Sequence, residues 1–289
     1  MTRPTLAFQG ELGSNSHELC VQQFPGYAPR PCASFAEAFA VMRSGECEAG
    51  LVAMENSIAG RVEDVYHLLP RAGLHIIGER FKPIHMHLMA NPGARLADIR
   101  IAASHVMALN QCRATLGRLG IAAEIAGDTA GAARALSERP DPTRAAIAPA
   151  LAAELYGLAI LEREVEDEAH NTTRFLLMTA DPHPPAPPSG AACLTSLVFR
   201  SRNVPSGLYK ALGGFASNGV NVIKLESYLE GGQFTAATFY AEIEGRPGEA
   251  AMDHAMEELA FFSRQVDVLG VFEADPFRRA SQPSPEPAS

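Results

Sequence analysis

The sequence has no Cys-x-x-Cys pair, no apolar run of about 18 residues and no excess of basic charge. Its five cysteines (Cys20, Cys32, Cys47, Cys112 and Cys193) are odd in number and lack paired short spacings. That pattern excludes a disulfide framework or a Cys-based zinc site. Without a long apolar run, no membrane span is expected. The opening "MTRPTLAFQG" lacks a signal peptide's apolar segment, so the expectation is a cytoplasmic protein. With 24 Lys and Arg against 33 Asp and Glu, the net charge of -9 argues against a nucleic-acid partner. It leaves room for an anionic substrate in a local pocket. There is no P-loop, no His-Glu-x-x-His and no Gly-x-Ser-x-Gly element.

What is present is a chain of 289 residues, 47% of them hydrophobic, enough for more than one core. Strand-like and helix-like segments alternate from "TLAF" at 5–8 through "NTTRF" at 171–175. Ser34 with Glu37 forms a capping box before one helix, and Asp128 caps another. This alternation predicts an α/β fold of mainly parallel sheets, with binding groups on loops beyond the strand C-termini. "DPHPPAPPSG" at 181–190 is a proline-rich linker. After it the order becomes strand, helix, two strands around "EGG", helix, strand, which is a ferredoxin-like unit at 191–272. The stretch 273–289 reads as a disordered tail.

Four strand-end segments carry polar groups. "FQGELGSNS" at 8–16 has two glycines and small polar residues that expose backbone donors to an anion, or form a plain turn. In "MENSIAG", Glu55, Asn56 and Ser57 follow an apolar strand. Ser57 reads equally as a helix cap or as part of an anion pocket. In "ASHVMALNQC", Ser104 reads as a helix cap and Gln111 lies two turns along on the same face. Cys112 reads as core, and His105 as a surface residue. In "NTTRF", an extended chain points Thr172 and Arg174 one way, and Asn171, Thr173 and Phe175 the other. Arg174 has the fork geometry for a carboxylate. His85 and His87 share a strand face, but two ligands do not make a metal site.

Together, "QGELGSNS", "VAMENSIAG", "SHVMALNQC" and the intact "NTTRF" resemble the motifs of the prephenate dehydratase family, in the family's order over about residues 5–272. The linker and final unit resemble its C-terminal ACT regulatory domain. Two departures stand out. Val106 and Met107 replace Pro-Gln after Ser-His, and Tyr228 and Leu229 replace the Arg-Pro of the regulatory Glu-Ser-Arg-Pro motif.

The resemblance implies a two-lobed, periplasmic-binding-protein-like catalytic domain at 1–180. One lobe takes the chain to about residue 77 plus the return strand at "NTTRF"; the second takes about 78–168. It implies decarboxylative dehydration of prephenate to phenylpyruvate, with no cofactor and no metal, because aromatisation supplies the drive. Thr173 is the expected catalytic donor. Asn56, Ser57, Ser104, Gln111, Thr172, Arg174 and Phe175 are the expected substrate contacts, with Glu55 and Asn171 behind them. L-phenylalanine is the expected effector, at Asn203, Ser206, Gly207, Leu208, Tyr209, Asn221, Glu226 and Ser227. The expected assembly is a homodimer or homotetramer, with no nucleic-acid or membrane partner. Two alternatives remain: arogenate dehydratase, whose substrate bears an amino group in place of the keto oxygen, and a non-catalytic amino-acid-binding regulator.

Overall fold

The computed structural model describes residues 3–228 and 238–281. The chain opens with β1 (Thr5–Gln9), α1 (Asn15–Gln23), β2 (Ala28–Cys32), α2 (Phe35–Arg43), β3 (Ala49–Asn56), the short β4 (Gly60–Arg61), α3 (Glu63–Leu68) and β5 (His75–Pro83). It continues with β6 (His87–Ala90), β7 (Ile101–His105), α4 (Val106–Gln111), α5 (Arg113–Leu119), β8 (Ala122–Ala126), α6 (Thr129–Glu138), β9 (Arg144–Ala148), α7 (Ala150–Tyr156) and β10 (Ala159–Glu162). The long β11 (Thr172–Thr179) follows. The last elements are β12 (Cys193–Ser201), α8 (Gly207–Ser217), β13 (Val222–Tyr228), β14 (Thr238–Glu244), α9 (Ala250–Phe262), β15 (Ser263–Glu273) and α10 (Phe277–Ser281).

Three sheets organise these elements. The first has the order β2-β1-β3-β11-β5, with β4 paired to β3. β1 runs parallel to β2 and β3. The second has the order β10-β6-β9-β7-β8. Here β7 is parallel to β8 and β9, while β6 is antiparallel to β9 and β10. Strand β6 is buried at every position, because apolar clusters cover both faces of its sheet. The third sheet has the order β13-β14-β12-β15, the ferredoxin-like arrangement, with α8 and α9 over Leu197, Phe199, Phe239 and Ile243.

The chain divides into two compact units: residues 1–65 with 81–175, and residues 66–80 with 176–289. Several expectations change. The first sheet keeps the chain through Pro83, not residue 77, because β5 is a single strand in that sheet. The stretch expected as a tail contains the ordered α10, whose Arg278 pairs with two fully buried carboxylates, Glu79 and Glu242. Residues 282–289 and the "EGG" turn lie outside the described residues. The segment after β7 forms two short helices, α4 and α5, and not one. Cys112 (φ -120°, ψ 16°) separates them, and the Asp167 carboxylate accepts from Ala114 N and Thr115 N to start α5. Among the described residues, no helix is long and apolar enough to cross a membrane.

Candidate active site

The strands of the first unit end in short polar turns, and these converge on one cleft of about 290 Å³. From the first sheet it takes Gln9, Ser14, Asn15, Ser16, Asn56 and Thr173. From the second it takes His105, Met107, Gln111, Asp128 and Thr129. Among the described residues, the lining includes no lysine or arginine.

The turn after β1 is shaped by Gly10 and Gly13, at φ 116° and 90°. Ser14 then caps α1 by accepting from His17 N. The buried His17 ring stacks on Phe8 and accepts Gly13 N–H at Nδ1, at 2.9 Å. Burial holds the His17 pKa below its ordinary value, with Glu18 pulling the other way. The imidazole is therefore a neutral brace for the loop. The Oδ1 of Asn15, the first residue of α1, is buried without a hydrogen-bond partner among the described residues.

A chain of amides fixes the centre. Asn56 Oδ1 accepts from Ile58 N and Ala59 N, at 3.0 and 2.8 Å. That pins the amide so that its Nδ2 faces β11, where it donates to Asn171 Oδ1 at 2.7 Å and to Thr173 Oγ1 at 3.0 Å. Asn171 Nδ2 in turn donates to Gln111 Oε1 at 2.8 Å. Gln111 thus keeps its Nε2 donors for the cleft. Thr173 Oγ1 accepts one hydrogen bond and keeps its own O–H for donation.

Thr172 joins this cluster through its carbonyl, which accepts from Asn56 Nδ2 at 3.3 Å, while Ser57, Ser104, Arg174 and Phe175 stand apart from it. Ser57 is no helix cap: residues 57–59 are the turn between β3 and β4, and the next helix starts at Glu63. Ser57 Oγ donates to His170 O and accepts from Thr172 N, joining that turn to the start of β11. Ser104 is no helix cap either. It is fully buried in β7 and donates to Ile147 O, while His105 Nδ1 caps α4 by accepting from Met107 N. Ser104 and Gln111 therefore do not share a helix face. Arg174 lies 2% exposed with Nη1 3.0 Å from Oε1 of the partly exposed Glu55, and it is not part of the lining. Phe175 is core. Glu55 serves as the Arg174 partner.

Sequence reasoning missed Asp128, read only as a cap, together with Asn15 and His105. The position of each at or beyond the C-terminal end of a strand was the available signal. Cys112 is core as expected, its thiol pushed up to about 12 by burial. His85 Nδ1 meets Glu166, and His87 Nδ1 accepts from Glu164 N. Among the described residues no cluster of three or more His, Cys, Asp or Glu has the arrangement to hold a metal.

In the ferredoxin-like unit, Ser206 (φ 58°) and Gly207 open α8. Leu208 packs on the core beneath, and Tyr209 is 80% exposed. Asn203 is exposed; Asn221 Nδ2 donates to Glu244 Oε2. Glu226 lies 3.7 Å from Lys224, and Ser227 sits opposite Phe239.

Comparison with known proteins gives this geometry a family. The family model described as prephenate dehydratase matches residues 6–183. A protein of Komagataeibacter europaeus, named bifunctional N-acyl-homoserine lactone acylase/prephenate dehydratase, is 46% identical over 95% of this chain and 97% of its own. A chloroplastic arogenate dehydratase/prephenate dehydratase of Arabidopsis thaliana is 32% identical over 95% of this chain and 74% of its own. The structure of prephenate dehydratase in complex with L-Phe from Arthrobacter aurescens is 28% identical, with a TM-score of 0.84 over 97% of this chain and 92% of that one. The chain belongs to the prephenate dehydratase family of carbon–oxygen lyases, with an ACT-like module following the catalytic part.

Proposed function

We propose that the chain converts prephenate to phenylpyruvate, carbon dioxide and water in the cytoplasm, as a step toward L-phenylalanine. The observation that carries this is Thr173, held in the cleft by Asn56 with its O–H left to donate. As the ring carboxylate leaves, the C–C bonding pair enters the ring and the C–O bond to the ring hydroxyl breaks. The departing hydroxide must gain one proton. Threonine is too weak an acid to give that proton outright. Its hydroxyl acts as a positioned donor to the leaving oxygen, with water completing the transfer. Gln111 and the N-terminal turn of α1 supply neutral donors for the anionic side chain. The carboxylate that leaves as carbon dioxide needs only light contact, since its charge is lost in the reaction. Arg174, paired with Glu55, acts from behind the strand by holding Thr173 in place.

L-Phenylalanine is the proposed feedback ligand of the ACT-like module. The L-Phe complex of the Arthrobacter relative supports this. So does the retention of Glu226 with Ser227 at the start of the Glu-Ser-Arg-Pro motif. Tyr228 and Leu229 in place of Arg-Pro make the strength of inhibition a point of difference. A homodimer or homotetramer is the proposed assembly. The test is phenylpyruvate formation from prephenate with and without L-phenylalanine. Failure to form product in either condition overturns the catalytic reading; product without inhibition overturns the feedback reading alone. A second reading, hydrolysis of N-acyl-homoserine lactones, is supported by the name and 46% identity of the Komagataeibacter relative. Release of free homoserine lactone from an acylated probe tests it.

A further inference from the structure

The cleft is electrostatically lopsided. Two helices of nine and ten residues, α1 and α6, begin at its wall. A helix N-terminus favours an anion. At α1 that preference is intact, because the cap is the neutral Ser14 and the first-turn Glu18 is paired with Lys82 at 2.6 Å. At α6 the cap is Asp128, whose Oδ1 accepts from Gly131 N at 2.9 Å. That end of the cleft already carries an anion. Both caps border Gly10. A β-carbon there would stand 3.2 Å from Ser14 Oγ and 3.4 Å from Asp128 Oδ2. The second oxygen of Asp128 is thus close to the wall formed by the β1 turn.

The nearby charges do not cancel Asp128. Arg134 of α6 reaches Glu11 at 3.3 Å and Glu138 at 3.1 Å, so one guanidinium is shared by two carboxylates. With no lysine or arginine in the lining among the described residues, the Asp128 end is net negative. A substrate whose side chain carries carboxylate and keto groups presents only anionic or acceptor atoms there. A substrate carrying an ammonium in place of the keto oxygen presents a cation.

We infer that Asp128 is a specificity-determining residue, which lets this cleft accept the amino-bearing counterpart of prephenate, arogenate, alongside prephenate itself. The inference rests on the dehydratase reading proposed above and adds a substrate class to it. The chemistry at the ring is the same for both substrates, so Asp128 acts on binding of the side chain and not on bond breaking. Its effect falls mainly on KM.

The experiment compares kcat and KM for prephenate and arogenate in the full chain and in Asp128→Asn. Asparagine keeps the α6 cap, because its amide oxygen accepts from Gly131 N as the carboxylate does. A thermal melt checks that the fold is retained, and Asp128→Glu, which restores the charge, serves as the second variant. Loss of a charge-assisted contact lowers the arogenate-to-prephenate ratio of kcat/KM by about tenfold, mostly through the arogenate KM. Asp128→Glu recovers part of that ratio. An unchanged ratio in Asp128→Asn overturns the inference while the dehydratase reading stands. So does an active chain that turns over prephenate but not arogenate. If neither substrate is consumed by the unaltered chain, the dehydratase reading itself has failed, and this inference with it.

Discussion

Thr173 and His17 show how much of the site depends on which single atom holds a proton. Thr173 accepts from Asn56 and keeps its O–H available to donate. Thr173→Ala removes that donor, and turnover is expected to fall by about a hundredfold while substrate binding changes far less. Thr173→Ser, which restores the hydroxyl, recovers most of the loss. Steady-state kinetics with direct substrate binding checks both, and unchanged kcat in the alanine variant refutes the role. His17 works in the opposite sense, by lacking a proton at Nδ1. Its folded pKa lies below the ordinary 6.5, chiefly through burial. Above the unfolded value both states are neutral and the full stability is present. As pH falls through 6.5 the unfolded chain takes up the proton first, so stability is lost down to the folded pKa. His87, also lowered by burial, adds to the same slope. Denaturant unfolding at about pH 7.5 and about pH 5.5 should show a loss in the native chain and a smaller loss in His17→Gln. An equal loss in both would remove His17 from the account.

At the level of elements, local rules reached the strands and caps but not the depth of a residue along a strand. The alternation of β1 to β10, the caps at Ser34 and Asp128 and the ferredoxin-like order follow from apolar spacing and capping side chains. Strand parity correctly separates Thr173 from Arg174, yet it cannot tell that Thr173 sits at the mouth of β11 while Phe175 is already core. The break at Cys112 depends on Asp167, more than fifty residues away, and so has no local signature. Asp128 was hidden by its own adequate explanation as a cap. In the ferredoxin-like unit, the entry to α8 is legible only in three dimensions. A β-carbon on Gly207 would meet Arg202 O at 2.4 Å, directly after Ser206 in the left-handed region. Gly207→Ala should therefore cost about 2 kcal/mol through overpacking, measured as a lower denaturation midpoint. A cost near zero would mean the turn yields freely.

On the scale of the whole molecule, the second unit is assembled from distant parts of the sequence, residues 66–80 and everything after 176. Arg278 joins those parts: its Nε lies 2.6 Å from Glu79 Oε1 and its Nη2 3.2 Å from Glu242 Oε2. Both carboxylates are fully buried, and Tyr240 donates to Glu242 at 2.5 Å. Arg278→Ala leaves two buried carboxylates short of a guanidinium and should destabilise this unit by about 3 kcal/mol. Arg278→Lys should cost less. Unfolding followed by a probe within residues 176–281 checks this, and a loss below about 0.5 kcal/mol would show that the carboxylates are adequately held by their other partners.

The Arg278 contact also has a consequence for biosynthesis. Glu79 leaves the ribosome some two hundred residues before the guanidinium that neutralises it. The first unit has all its residues once position 175 is translated, so it can fold while synthesis continues. The second unit cannot complete its buried charge cluster until residue 278 has emerged. The contact between the start and the end of this unit is therefore among the last that the growing chain can make.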